Sequence, residues 1–233
     1  MKKNILTTLA AVAAASMTVS SAIAAEATVG VDFSSAYVFR GVTLNDGFVA
    51  QPSLEVSGLP IDIGVWGNMD LEDMDGALEG GQFSEIDIYG SYAIPVEGVD
   101  ASIGYTEYTY PNGGVADREV GLTIGAPEGT PASPYLSLYY GLDGAIDSSF
   151  YGEFGIGQEV ELEEGLTLGL GALIGYLSPD EGTDGFSHYQ LSASLAYDFI
   201  TASFAYIDTV DSDVLGDAYD VEFVGTLGLS YGF

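Results

Sequence analysis

The chain of 233 residues carries 35 acidic and only 4 basic side chains, a formal net charge of −31. This balance argues against a nucleic-acid partner, because no basic surface is available to neutralise phosphates. The absence of cysteine excludes disulfide scaffolds and thiolate metal sites. With 47% hydrophobic and 12% aromatic residues, the chain is too apolar to be a disordered acidic tail.

The beginning of the chain has the features of a secretory signal peptide. Two lysines follow the first methionine, residues 5–19 are small and apolar, and Ala22-Ile23-Ala24 fits the small-x-small cleavage rule. Cleavage after Ala24 and cleavage after Ala25 both fit this rule. We expect residues 1–25 to be the signal peptide and residues 26–233 to form the mature domain.

The mature chain alternates between apolar residues and small or polar ones, and this period of two predicts β-strands. The segment 165–177, for example, places leucines on one parity and glycines on the other. The predicted strands are residues 27–40, 48–57, 61–70, 84–94, 99–110, 118–126, 134–142, 149–161, 165–177, 187–198, 200–208 and 219–233.

Short connections alternate with long acidic ones between these strands. The longer loops are residues 41–47, 71–83, 111–117, 143–148, 178–186 and 209–218. Short turns on one side and long loops on the other are typical of outer-membrane barrels. The predicted fold is therefore all-β, a transmembrane antiparallel up-and-down β-barrel of about 12 strands.

The two faces of the predicted strands favour a barrel over a soluble sandwich. One parity is apolar, whereas the other is mostly Gly, Ser, Thr, Asp and Glu, which are too small and polar to form a sandwich core. Aromatic residues at strand ends are expected to form interfacial girdles. These residues are Tyr37, Phe39, Tyr92, Tyr176, Tyr197, Phe199, Tyr231 and Phe233.

Several segments resemble the TorF-type porins, a family of bacterial outer-membrane β-barrel proteins. The similarity is strongest in YVFRGVTLNDGFVAQPSLEVSG (37–58) and EIDIYGSYAIPVEGVDASIGYTEYTYP (85–111), and it extends to GVWGNMDLED (64–73) and TLGLSYGF (226–233). The resemblance implies an outer-membrane barrel with a pore and names no solute.

The parity of the strands predicts which charged side chains face the lumen. Carboxylates in a water-filled pore concentrate cations and repel anions. The candidate selectivity residues are Arg40, Asp32, Glu55, Asp62, Asp87, Glu153, Glu159 and Glu222. A salt-adapted proteome would give the same acidic excess, so the charge alone does not assign selectivity.

Arg40 is expected near the outer end of the first strand, facing the lumen. It either narrows the pore beside carboxylates or forms an ion pair with Asp62, Asp87 or Glu55 that fixes the strand register. Inward aromatic residues either form a stacking surface for solutes or fill a narrow lumen. These residues are Trp66, Tyr89, Tyr108 and Tyr151.

The sequence favours a porin for small hydrophilic solutes in the outer membrane, with no enzyme activity, cofactor or metal site. The alternative is a non-conducting structural or adhesive barrel with ion-binding acidic loops. A lipid-modifying enzyme is disfavoured, because Ser187 and His188 are adjacent on a strand and are expected to face opposite ways. Glu107 falls on the outward parity, which suggests a bulge. The expected partners are outer-membrane lipid, lipopolysaccharide and the barrel assembly machinery, which would take the C-terminal strand ending at Phe233.

Overall fold

The computed structural model describes residues 25–72, 79–127, 129–216 and 222–233. Residues 1–24 of the predicted signal peptide lie outside the described residues. The described chain forms fourteen strands, of which twelve build a closed antiparallel barrel. The barrel strands are β1 (Glu26–Ser34), β4 (Val49–Ser57), β5 (Asp62–Asp70), β6 (Phe83–Ile94), β7 (Asp100–Thr109), β8 (Asp117–Gly125), β9 (Tyr135–Asp143), β10 (Phe150–Glu163), β11 (Leu166–Ser178), β12 (Gly185–Tyr197), β13 (Ile200–Thr209) and β14 (Phe223–Gly232).

Two short strands, β2 (Tyr37–Phe39) and β3 (Val42–Asn45), pair only with each other. Helical structure in the described chain is limited to a 3-10 turn (Gly144–Ile146) and α1 (Ser212–Leu215). Among the described residues, no helix is long and apolar enough to cross a membrane.

The barrel closes where β1 pairs with β14 on one side and with β4 on the other. Val31 lies between Leu229 of β14 and Pro52 of β4. Each remaining strand pairs with its chain neighbours, so the predicted twelve-stranded up-and-down barrel is confirmed. Closure pairs the backbone groups of every barrel strand, as a lipid surrounding requires.

The outer face of the barrel is apolar. Ile63 and Val65 of β5 and Ile88 of β6 are 50%, 42% and 57% exposed, and they alternate with polar residues that face inward. The same alternation runs through the other strands of the wall. This combination of an apolar exterior and a polar interior is that of a transmembrane barrel.

The two ends of the barrel differ in their connections. At one end, here called the turn end, the tight turns at 58–61, 164–165 and 198–199 join the strands. At the other end, the loop end, the connections are longer and include residues 35–48 and 71–82. The backbone of Ala27 pairs with that of Phe233 at the turn end.

The first predicted strand, 27–40, is wrong beyond Ser34. The barrel ladder stops there, and the chain turns inward to form β2 and β3 inside the barrel. Tyr37 is only 7% exposed, and the predicted place of Tyr37 and Phe39 in an outer girdle is therefore wrong. The alternating side chains of this segment point to the two faces of an internal hairpin, and not to lipid on one side and the lumen on the other.

The predicted bulge at Glu107 is also wrong. The register runs unbroken through the Glu107–Arg118 pair of β7 and β8, and Glu107 faces outward. Its carboxylate accepts a hydrogen bond from Arg118 at 3.4 Å, and Arg118 also contacts Asp143 at 2.6 Å. Arg118 on the outer face thus compensates the negative charge of Glu107.

A real bulge lies in β12, where Ser187 and His188 together oppose Gly175 of β11. The bulge brings Ser187 Oγ within 3.0 Å of His188 Nδ1. The expectation that the two side chains face opposite ways is therefore wrong, because an extra residue in a strand suspends the alternation.

Candidate functional site: a hairpin across the lumen

The connection between β1 and β4 folds into the barrel as a hairpin, here called the lumen hairpin (residues 37–45). Arg40 and Gly41 form its two-residue turn, with φ values of 52° and 81°. Positive φ at both positions is the mark of a type I′ turn, which matches the twist of the flanking strands. Arg40 is an unusual residue for this conformation, so its side chain is placed at the tip at a backbone cost.

The lumen hairpin spans the full width of the barrel. It leaves the wall between β1 and β4, and in the closed ring β9 is the strand opposite β1. The Arg40 guanidinium lies 4.4 Å from the ring centre of Tyr139 on β9 and 4.4 Å from that of Tyr151 on β10. Arg40 therefore anchors the tip to the far wall through cation–π contacts.

The main polar contact of Arg40 is with Glu119 on β8. Its two terminal nitrogens donate to both carboxylate oxygens, at 3.0 and 2.8 Å. Burial acts to lower the pKa of Arg40, but Glu119 and neighbouring tyrosines outweigh it and hold the pKa above its ordinary value. The predicted partners Asp62, Asp87 and Glu55 were wrong.

One face of the hairpin packs on aromatic and acidic side chains. The Tyr37 ring lies 5.5 Å from Trp66, and the Phe39 ring lies 5.9 Å from Tyr108. The Tyr37 hydroxyl donates to Glu85 at 3.0 Å. Burial and the charge of Glu85 raise the pKa of Tyr37 well above its ordinary value, so the hydroxyl keeps its proton.

The opposite face of the hairpin is apolar. Ala36, Ile207 and Val224 form a buried cluster, with Val38 and Ala205 packed against it. Ile207, Ala205 and Val224 are inward-facing residues of β13 and β14, where a water-filled lumen would carry polar side chains. The apolar face of the hairpin thus contacts apolar wall residues, and its aromatic face contacts aromatic and acidic wall residues.

An amide network fixes the base of the hairpin. Asn45 Nδ2 donates to Asp70 at 2.6 Å, and Asn68 Nδ2 donates to the same oxygen at 3.0 Å. Gln51 donates to Asn68 at 3.0 Å, and Ser84 accepts from Asn68 at 2.8 Å. Asn68 and Asp70 are 0% and 1% exposed, so this network is a buried support for the base of the hairpin, here called the seat.

The hairpin tip fits the bulged part of the wall. Gly41 lies against His188, and a methyl group at Gly41 would come within 2.7 Å of the imidazole. Tyr151 stacks on the same imidazole with ring centres 6.3 Å apart. Ser187 is fully buried beside His188, so its hydroxyl is out of reach of a lipid substrate.

The hairpin layer divides the lumen into two zones. Around the hairpin, Tyr108, Tyr151, Asp87 and Glu119 are no more than 3% exposed. Toward the turn end the wall carries small side chains that are partly or fully exposed. Among these are Thr28, Ser53, Ser91, Ser102, Thr123, Ser192 and Ser203. The side chains inside the barrel are therefore more closely packed around the hairpin than toward the turn end.

The predicted lumen acids do not form a ring. Asp87 lies in the hairpin layer, whereas Asp62 accepts a hydrogen bond from Gly58 N in a turn. Glu55 accepts from the predicted lumen residue Tyr89 at 3.3 Å. The other predicted acids lie at several heights of the wall or its rim, as Asp32 on β1, Glu153 and Glu159 on β10, and Glu222 before β14.

Glu222 lies on the rim of the barrel, because it precedes β14 and is exposed at the loop end. The predicted strand 219–233 begins at Phe223, and residues 217–221 lie outside the described residues. Three of the predicted lumen aromatics, Trp66, Tyr108 and Tyr151, contact side chains of the hairpin.

Sequence reasoning missed Glu85, Asp117 and Glu119. All three have inward parity, and the alternation used for Asp87 would have found them. Glu119 and Asp117 accept hydrogen bonds from Tyr108 at 2.6 Å and Tyr110 at 2.7 Å. Within the described ranges, no group of three or more acidic or histidine side chains is arranged to hold a metal ion.

Comparisons with known proteins give the following similarities. Residues 16–127 match a family model described as "Bacterial protein of unknown function (Gcw_chp)". No curated protein matches the chain. An outer-membrane channel from Pseudomonas putida F1 is similar in structure, with a TM-score of 0.48, 10% identity, and coverage of 92% of this chain and 97% of that one.

Two further solved structures are similar at the same level. An outer-membrane protein of Acinetobacter baumannii has a TM-score of 0.48 and 10% identity, covering 90% of this chain and 96% of that one. The NanC porin has a TM-score of 0.45 and 11% identity, covering 89% and 98%. The closed antiparallel wall, polar lumen and apolar exterior of the present chain are those of a transmembrane β-barrel.

Proposed function

We propose that the protein is an outer-membrane porin through which small hydrophilic solutes diffuse passively, with a preference for cations. The charge beside the lumen hairpin carries this proposal. Glu85, Asp87, Asp117 and Glu119 line one side, and Arg40 is the single basic side chain that faces them among the described residues. An acidic constriction attracts cations and repels anions.

The shape of the lumen supports the same proposal. The turn-end zone is lined by small polar side chains and admits water, whereas the hairpin sets the size limit. Transport through such a path takes its energy from the solute gradient. It requires neither a catalytic residue nor a cofactor.

The proposed location is the bacterial outer membrane, reached by export with the signal peptide 1–25. The likeness of 37–58 and 226–233 to TorF-type porins supports this assignment. Outer-membrane lipid and lipopolysaccharide are the partners that the apolar outer face suits. The C-terminal strand ending at Phe233 is the segment that we expect the barrel assembly machinery to recognise.

A second candidate is a non-conducting structural or adhesive barrel. The packing of the hairpin layer favours it, because Asn68, Asp70 and Asp87 are at most 2% exposed. A resting barrel sealed in this way would pass no current, and its acidic loops would carry any function.

Single-channel recording separates the two candidates. The refolded protein is placed in a planar bilayer with a tenfold KCl gradient. Discrete steps with a cation-selective reversal potential support the porin. Steps without selectivity refute the role of the acidic side of the lumen. No steps, from protein that migrates as a folded heat-modifiable barrel, support the non-conducting barrel.

A further inference from the structure

Two carboxyl groups lie side by side in the wall against the lumen hairpin. Glu85 and Asp87 are two residues apart on β6, so both side chains face inward on the same side of the strand. Glu85 is 6% exposed and Asp87 is 2% exposed. Asp87 Oδ1 is fully buried and has no hydrogen-bond partner.

Among the described residues, no basic side chain forms an ion pair with either member of this pair. The cross-strand neighbours on β5 are Asn68, opposite Glu85, and Trp66, opposite Asp87, and neither titrates. The titratable groups that face the pair are Tyr37 of the hairpin, Tyr89 of β6, Tyr108 of β7, Tyr110 directly after β7, and Asp117 and Glu119 of β8.

The nearest cation and most nearby hydroxyls are already engaged. Arg40 forms its two hydrogen bonds with Glu119. Tyr108 donates to Glu119 and Tyr110 donates to Asp117. Tyr37 donates to Glu85, so Asp87 Oδ1 is left without a donor.

Two adjacent ionised carboxylates cannot be buried here without compensation, because like charges and desolvation both penalise the second charge. We propose that Glu85 and Asp87 form a binding site for one proton, which they share at neutral pH. The shared proton provides the missing donor in an O–H···O hydrogen bond between the two carboxyl groups.

The proton site contacts the hairpin directly through the Tyr37 hydroxyl. Loss of the proton at alkaline pH places a second negative charge beside the seat of Tyr37. The site therefore holds the hairpin in place below its titration range and weakens that hold as the pH rises through it. Trp66, the only tryptophan, lies 5.5 Å from Tyr37 and reports this change.

Infrared spectroscopy of the refolded protein at neutral pH tests the proton. The exposed carboxyl groups are then ionised, so a carboxylic-acid carbonyl band arises from buried acids. We expect Asp87→Asn and Glu85→Gln each to lose the same component of this band. Glu159→Gln, which alters an exposed acid toward the turn end, is the matched control and should leave the band unchanged.

Trp66 emission, titrated from neutral to alkaline pH, tests the coupling. We expect a shift in wild type that is absent in Asp87→Asn, which keeps a single charge at every pH. An unchanged infrared band in both amide variants overturns the proton site, and an equal emission shift in Asp87→Asn overturns the coupling. Neither readout needs ion conduction, so failure of the porin proposal is distinguishable from failure of this one.

Discussion

Arg40 is the residue on which the position of the hairpin tip depends most. Its guanidinium side chain is 16% exposed and that of its partner Glu119 is 3% exposed, so the pair is largely desolvated. Removal of one member of a buried pair leaves the other charge uncompensated and costs about 3–5 kcal/mol. We therefore expect Arg40→Ala to lower the free energy of unfolding by about this amount, measured by denaturant titration in detergent.

The matched control for Arg40→Ala is the double variant with Glu119→Gln. Since it removes both charges, we expect it to recover part of the lost stability. Equal stability of the single and double variants would contradict the view that the buried charge of Glu119 is the source of the loss.

Gly41 tests whether the tip must fit the bulged wall. A side chain at Gly41 meets both a left-handed backbone and the His188 ring at 2.7 Å. Gly98 has a similar φ of +86° but nothing within 4 Å of an added methyl group. We expect Gly41→Ala to alter Trp66 emission and single-channel current, and Gly98→Ala to show only the loss of stability that a left-handed backbone costs an L residue, about 1–2 kcal/mol.

At the scale of elements, the hairpin is an addition to a barrel that is complete without it. β1 and β4 pair directly with each other, so a short turn can join them. We expect replacement of residues 36–47 by such a turn to preserve heat-modifiable folding and to raise single-channel conductance several-fold. An unchanged conductance would show that the constriction lies elsewhere.

Alternation predicted the wall because lipid demands apolar side chains on every second residue of each strand. The same rule failed at Tyr37 and Phe39, where the packing of a hairpin inside the barrel produces an identical pattern. The glycine in Arg40-Gly41, between two alternating segments, is a sequence feature that is typical of a hairpin turn. The bulge at Ser187 and His188 leaves no mark in the sequence, because it depends on the register with Gly175.

The candidate site was predictable only in part. Inward parity predicted that Asp87 faces the lumen, and the same rule would have predicted it for Glu119. The pairing of Arg40 with Glu119 depends on a chain reversal that carries the tip across the barrel. Contacts between strands so distant in the ring cannot be derived from the spacing of residues along one strand.

At the scale of the whole molecule, the acidic excess acts through long-range fields. The chain carries thirty-five acidic side chains and only four basic ones. Salt screens such fields over about 10 Å at 0.1 M and about 3 Å at 1 M. We expect the cation-to-anion permeability ratio, measured from reversal potentials, to fall as both KCl solutions are concentrated.

Part of this selectivity should survive at high salt. The acids beside the hairpin act at contact distance, where screening is weakest. A ratio that falls to one in 1 M KCl would assign selectivity to the loops and mouths alone. Glu159→Gln, which removes an exposed charge of β10 toward the turn end, separates the two contributions further.

The hairpin leaves the wall at the end of β1, the strand that also forms the seam with β14. Its polar seat belongs to β4–β8, which follow it directly in the chain, but Ile207 and Val224 belong to the last two strands. When β14 reaches β1, it completes the ring and covers the apolar side of the hairpin in one event. A barrel assembled in this order is at no stage closed without its hairpin in place.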